Sequence, residues 1–217
     1  MADHALKAAM RLEAMQRRDG LDLDDRLEWD QQIADGLLAS RLFGSRLLDS
    51  VRGVVAGYWP MRSEADPRPI MVALKERGIA LALPAMHRPG GDFASEVLFR
   101  PWMPWEPLVP GGFGTLVPVP EAGETGPAVL LVPLLAFDRQ CRRLGYGKGH
   151  YDRAIARLQA KGDLLTIGIA YAAQEVAEVP TEPHDRALHA IATERGVIMP
   201  GIGRAELNDD PGASPAA

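Results

Sequence analysis

Apolar positions recur at helical spacing over the first part of the chain and gather into short runs after it. Ala5 to Arg18 is built largely from Ala, Leu, Met, Glu, Lys and Arg, all good helix formers, and Gly20 ends it. Leu27, Ala34, Leu38 and Leu42 keep the helical period through a second predicted helix, from about Asp24 to Phe43, with Gly44 as its stop. Beyond this the pattern changes. "VRGVVAGYW" (Val51–Trp59) predicts a buried strand closed by Pro60, and Pro67–Arg77 a helix with Gly78 at its C-terminus. Ile79–Leu83 predicts a second strand, closed by Pro84, and Ser95–Arg100 a third. Ala128–Val132 is a fourth, Tyr151–Lys161 a helix, Leu165–Tyr171 a fifth strand, and Ala190–Val197 contains a sixth. Strands alternating with helices predict an α/β layered domain with a largely parallel sheet. In such sheets ligands bind beyond the carboxyl ends of the strands, which sets the ends of Val51–Trp59, Ile79–Leu83 and Ala128–Val132 around one crevice.

Between Pro101 and Pro120 the chain is dense in Pro, Gly and Trp, which suits an irregular loop covering a site. Residues 1–205 read as one domain and 206–217, ending in "NDDPGASPAA" from Asn208, as a disordered tail. The 217 residues are 47% hydrophobic and 24% charged, ordinary for a globular protein with a core. A net charge of −5 leaves no basic footprint for an extended nucleic-acid surface. The single cysteine, Cys141, excludes an intrachain disulfide and points to a reducing, cytoplasmic location. It stands beside Arg142 and Arg143, whose charges would lower its pKa. No CxxC or HExxH pattern is present, no apolar leader precedes the first helix, and no run approaches the roughly 20 apolar residues of a membrane span. No membrane partner is expected.

The chemistry concentrates in "LGYGKGHYDR", Leu144 to Arg153. A strand, a glycine-rich loop and a helix in that order make an anion-binding arrangement. Gly145, Gly147 and Gly149 can take positive φ and let backbone N–H groups approach phosphate oxygens, and the helix adds its positive end. Neither GxxxxGK[ST] nor GxGxxG is met, so the glycines alone leave a flexible surface turn open. Lys148 lies inside the array, where a flexible ammonium can reach a terminal phosphate. Asp152, on the first helical turn, suits either Mg²⁺ or the helix dipole.

The longer stretch "VPLLAFDRQCRRLGYGKGHYDR" resembles the signature of the 5-formyltetrahydrofolate cyclo-ligase (5,10-methenyltetrahydrofolate synthetase) family, through Phe137, Asp138, Arg143, Leu144 and every glycine of the loop. The likeness extends to Lys7 and Arg11 in a "KxxMR" arrangement, to Glu64, to "LALP" (Leu81–Pro84), and to "PHD" (Pro183–Asp185) with "IATERGVI". It implies a three-layer, Rossmann-like (CoA-transferase-like) fold preceded by N-terminal helices, with ATP and Mg²⁺ as the required small molecules and a monomeric chain. It implies an ATP site of Lys7, Arg11, Arg143, Leu144, Gly145, Tyr146, Gly147, Lys148, Gly149, His150 and Tyr151, with Lys148 and Arg143 catalytic and Asp152 on the metal. Glu64, Tyr151 and Trp102 would meet the folate, with Trp105 and Phe113 as further aromatics in the same loop. Core packing is the competing reading for all three loop aromatics.

The implied reaction is ATP-dependent closure of 5-formyltetrahydrofolate to 5,10-methenyltetrahydrofolate through phosphorylation of the formyl oxygen. Two departures stand out: His150 where the family usually has tyrosine, and His189 where an aspartate is common. They keep open a non-catalytic nucleotide- or folate-binding member of the family. A sugar-phosphate isomerase-like enzyme is the other alternative, and the extended signature argues against it. His4, His87 and His184 read as solvated or structural, with His184–Asp185 a hydrogen-bonded pair rather than a catalytic dyad.

Overall fold

The computed structural model describes residues 2–42, 53–87, 96–111, 114–182 and 185–201. The start of the first predicted strand, Gly44, Arg88, Phe113, His184 and the 206–217 tail lie outside these residues, as do the side chains of His4 and His87. Two helices open the chain, α1 (Ala2–Asp19) and α2 (Leu23–Ala39). Asp22 caps α2 by accepting from the Asp24 N–H at 2.8 Å, which satisfies one of the orphan donors of a helix start.

Seven strands form the main sheet: β1 (Val54–Ala56), β2 (Leu81–His87), β3 (Glu96–Pro101), β6 (Pro127–Pro133), β9 (Leu165–Ile169), β10 (Ala190–Thr193) and β11 (Gly196–Ile198). Their order is β11-β10-β9-β6-β1-β2-β3. The five central strands are parallel, and β3 and β11 close the edges antiparallel. The sheet is buried on both faces, so alternate side chains feed two cores. Val55, Val129 and Leu131 pack with Ile33 and Leu37 of α2 and with Ile70, Met71 and Leu74 of α3 (Arg68–Glu76). Ala56, Leu130 and Val132 pack with Ala154 and Ile155 of α4 (His150–Gln159). This is the expected three-layer arrangement. Gly57 is required where β1 leaves the sheet, because a Cβ there would stand 2.3 Å from the Met71 sulfur.

The local differences from expectation have physical causes. β2 runs through Pro84 to His87, because beyond Ala82 it pairs only with β3 and a missing N–H is tolerated on a one-sided strand. The Pro/Gly-rich stretch holds a small hairpin, β4 (Leu108–Pro110) with β5 (Leu116–Pro118). "AFDRQCRR" is a second one, β7 (Ala136–Phe137) with β8 (Arg143–Leu144). Asp138, 1% exposed, holds that turn by accepting from the N–H groups of Gln140, Arg142 and Val179. Cys141 is fully buried in it, and burial first, then the Asp138 charge, pushes its thiol up to about 12. This corrects the expectation that its arginine neighbours would lower it. Among the described residues, no helix is long and apolar enough to cross a membrane.

Candidate active site

Strand order reverses between β1 and β6, so the connections leaving their carboxyl ends run to opposite sides, the place where sheets of this kind bind ligands. The loop after β1 carries Glu64, and the chain after β6 passes through the β7–β8 hairpin into the glycine run. α1 lies against this end of the molecule, with Ala14 packed on Leu135, Ala136 and Leu144. Its inward stripe is basic. Lys7 and Arg18 are 5% and 2% exposed, whereas Leu6 and Leu12 are 52% and 56% exposed.

Each cation of that stripe is spoken for. Lys7 Nζ lies 2.7 Å from both Glu182 and Asp185. Burial pulls its ammonium down, but Asp185 and Glu182 outweigh that and hold it above its ordinary value. Arg11 Nε donates to the Gly145 carbonyl at 2.9 Å. Arg18 donates from Nε to Ser63 Oγ at 3.0 Å and from Nη2 to the Tyr146 hydroxyl at 3.1 Å. Ser63 in turn donates to Asp19.

The glycines divide their roles. Gly147 and Gly149 take positive φ, 88° and 62°, while Gly145 does not and contributes its carbonyl to Arg11. A Cβ on Gly147 would stand 3.0 Å from Arg11 Cζ, so the guanidinium lies directly on the loop backbone. Leu144 is buried and anchors the loop's entry, and Gly149 is the residue before α4. Lys148 is exposed on the loop, and its carbonyl accepts from Arg153 Nη1 at 3.0 Å. Arg153 also places Nη2 3.0 Å from His150 Nδ1.

Arg143 and Asp152 form an ion pair at 2.6 Å, with side chains 5% and 20% exposed. Asp152 Oδ1 also accepts the Arg186 N–H at 3.1 Å, and Arg143 donates to the Arg186 carbonyl. The 185–186 backbone is thereby tied to α4, β8 and α1 together. Among the described residues no group of three or more His, Cys, Asp or Glu could hold a metal by itself. Asp152 Oδ2 stands outside these hydrogen bonds, so this donor set fits a Mg²⁺ carried chiefly by phosphate oxygens with a single carboxylate. His189 accepts the Thr166 N–H on Nδ1 at 3.1 Å, which orients the ring and leaves Nε2 facing away from that contact.

Glu64 is 6% exposed. Oε1 accepts from the Tyr146 hydroxyl at 2.7 Å and Oε2 from the Met61 N–H at 2.9 Å. Burial raises its pKa against the lowering effect of these bonds and of Arg18. Tyr146 is raised to about 12 by burial of its hydroxyl and by the Glu64 charge. Tyr151, half-buried against the α4-side core, is raised by burial and by Glu64 and lowered by Arg143, so it lies within the field of both.

The structure thus gathers Lys7, Arg11, Arg143, Tyr146, Tyr151, Asp152 and Glu64 around one loop. Trp102 belongs elsewhere. It is 4% exposed, meets Trp59 edge-to-face at 6.1 Å and donates to the Glu106 carbonyl, contacts that match the core-packing alternative. Trp105 is 70% exposed. Arg18 and Ser63 escaped the sequence reading. Arg18 lies seven residues after Arg11, on the same helical face, and that spacing was the available signal.

A family model described as the 5-formyltetrahydrofolate cyclo-ligase family matches residues 3–194. A 5-formyltetrahydrofolate cyclo-ligase of Mycolicibacterium smegmatis is 34% identical over 151 residues, covering 66% of this chain and 75% of that protein. Its Escherichia coli K12 counterpart is 29% identical over 182 residues, covering 82% and 94%. The solved structure of Aquifex aeolicus 5,10-methenyltetrahydrofolate synthetase superposes with a TM-score of 0.72 at 27% identity, over 92% of this chain and 95% of that one.

Proposed function

The chain belongs to the 5-formyltetrahydrofolate cyclo-ligase family, and on that premise we propose how its loop and its buried carboxylate divide the work. The reaction is closure of 5-formyltetrahydrofolate to 5,10-methenyltetrahydrofolate, driven by ATP. A formamide oxygen is a very poor leaving group, and phosphorylation removes that obstacle. The formyl oxygen attacks the γ-phosphorus, the bond to the ADP oxygen breaks, and an N5-iminium phosphate results. N10 then attacks the formyl carbon, its proton passes to the departing phosphate, and the former formyl oxygen leaves as part of inorganic phosphate.

Such a transfer asks the protein for positioning and charge stabilisation. The glycine-loop N–H groups, Lys148 and Arg143 take the phosphate charge, with Arg11 bracing the loop and Lys7 holding Glu182 and Asp185 from α1. Asp152 would hold Mg²⁺, which supplies charge neutralisation to the phosphates when bound. Glu64 accepts from the pterin's amino and ring N–H groups, a match of donors to a carboxylate. Tyr151, which feels the charges of both Glu64 and Arg143, would pack on the folate or fix its formyl group. His150 packs with Arg153 at the start of α4, which is compatible with a working loop. The reaction takes place in the reducing cytoplasm, in keeping with the buried, unpaired Cys141.

The observation that carries this reading is the 2.7 Å contact of Tyr146 with Glu64, which joins an anion-binding loop to a buried acceptor in one crevice. Mixing the chain with 5-formyltetrahydrofolate and Mg-ATP must produce the near-UV absorbance of the methenyl product. An absence of any ATP-dependent signal would remove the assignment.

A further inference from the structure

The guanidinium of Arg18 is 2% exposed, and its Nη1 has no hydrogen-bond partner among the described residues. A buried, charged donor left unmade is costly and calls for an acceptor. The rest of the fork is held firmly, by Ser63 on Nε and by the Tyr146 hydroxyl on Nη2, with Ser63 itself fixed on Asp19. That tyrosine hydroxyl donates onward to Glu64. One oxygen therefore stands between a buried cation and a buried carboxylate, accepting from the first and donating to the second.

A pterin presents the same pattern along one edge: the C4 carbonyl accepts, while the adjacent N3–H and the 2-amino group donate. We infer that Arg18 and Glu64 together read this edge, Arg18 donating to the 4-oxo oxygen, and that the Tyr146 hydroxyl holds the pair in register until folate replaces it. The inference rests on the folate reading of Glu64 above and assigns Arg18 the specificity for a 4-oxo ring.

Tyr146 is suited to step aside. It is 43% exposed and sits between Gly145 and Gly147, the latter already at positive φ. Its departure would free Arg18 Nη2 and Glu64 Oε1 together, so the site is remade rather than left with two unpaired charges. The other titratable groups whose fields couple to Glu64 are Tyr58 and Tyr151, both of which stay protonated and neutral, since burial raises them further. Because Tyr146 belongs to the glycine loop, folate binding at Glu64 also displaces a residue of the nucleotide half.

The test compares 5-formyltetrahydrofolate with its 4-amino analogue, in which a donor replaces the C4 acceptor and N3 loses its hydrogen. Affinities of the full chain, Arg18→Gln and Arg18→Lys are measured calorimetrically, with thermal melts to establish folding. Wild type should favour the 4-oxo ligand by about 10- to 100-fold, since a guanidinium facing an amino group leaves two donors opposed. Arg18→Gln should narrow the ratio by about tenfold, leaving the part that Glu64 sets through N3–H, and raise KM more than it lowers kcat, while Arg18→Lys should retain more of the preference. A folded Arg18→Gln protein with the wild-type ratio overturns the assignment. If both variants fail to fold, equal affinity of wild type for the two ligands overturns it, and a 4-oxo preference that persists in Glu64→Gln supports it. Loss of ATP-dependent turnover in wild type would instead bring down the folate reading itself, and this inference with it.

Discussion

Replacing Glu64 by glutamine separates binding of the folate from every other function of the site. The wild-type carboxylate is 6% exposed and receives two donors, the Tyr146 hydroxyl and the Met61 N–H. Glutamine can keep its oxygen on Met61 and turn its amide toward the Tyr146 oxygen, which can accept. The ligand-free protein is therefore spared, and relief of a buried charge offsets the lost charge assistance, so the stability change stays within about 1 kcal/mol. Folate binding is not spared. The amide offers one acceptor where the pterin needs two, and its NH₂ opposes a pterin donor. Losing one to two charge-assisted hydrogen bonds at about 1.5–3 kcal/mol each weakens folate binding by roughly 10-fold to more than 100-fold. ATP affinity should not change. Calorimetric titration with folate and with ATP, beside a thermal melt, reads all three quantities. The pH dependence has a fixed sign. Burial raises the Glu64 pKa, so wild-type folate affinity is full above that raised value and falls as pH drops through it, whereas the glutamine variant shows no such limb. A folded Glu64→Gln protein that binds folate as tightly as wild type would refute the reasoning.

Two further outcomes test the frame around the site. Asp30 is 7% exposed, accepts from Tyr171 and the Asp66 N–H, and is raised from 3.8 to about 6, chiefly by burial. Its contribution to stability is present below pH 3.8 and lost as pH rises through about 6, so Asp30→Asn should gain up to about 3 kcal/mol over wild type between pH 4 and pH 7.5 in denaturant titrations; a pH-independent difference would contradict this. Lys7→Met should cost about 1–2 kcal/mol, less than a fully buried pair, because the Glu182 side chain is 45% exposed and can turn to water. Urea titration checks the loss, and an unchanged midpoint would show that the pairing of Lys7 with Glu182 and Asp185 adds nothing to stability.

The legible parts of this protein were local in sequence. The glycine loop, Lys148 and Asp152 lie within a few residues of one another, so the strand–loop–helix order around them could be read without any long-range contact. The parallel sheet followed from the same logic, since β6 and β9 are buried on both faces and show as apolar runs. What escaped the sequence was contact between distant segments. Tyr146 meets Arg18 and Glu64 across separations of 128 and 82 residues, and no periodicity reports such a pairing. The packing of Trp102 was hidden for a related reason: a tryptophan in a Pro-rich loop has the same composition signal whether it faces a ligand or Trp59. Cys141 reversed its expected shift because its arginine neighbours are engaged by Asp138 and Asp152 while burial acts on the thiol. The strand through Pro84 was cut short because edge pairing is a property of the sheet and not of the residue.

The central claim is that the glycine loop is the phosphate-handling half of a folate-activating site. It is tested most directly by turnover of 5-formyltetrahydrofolate and Mg-ATP, followed by the methenyl absorbance, in wild type and in Lys148→Ala. Loss of one charged group from the transferring phosphate should lower kcat by at least about tenfold while folate affinity, measured on the same samples, stays near the wild-type value. Full turnover in a folded Lys148→Ala protein would contradict the role of the lysine, and no ATP-dependent absorbance in wild type would contradict the account as a whole.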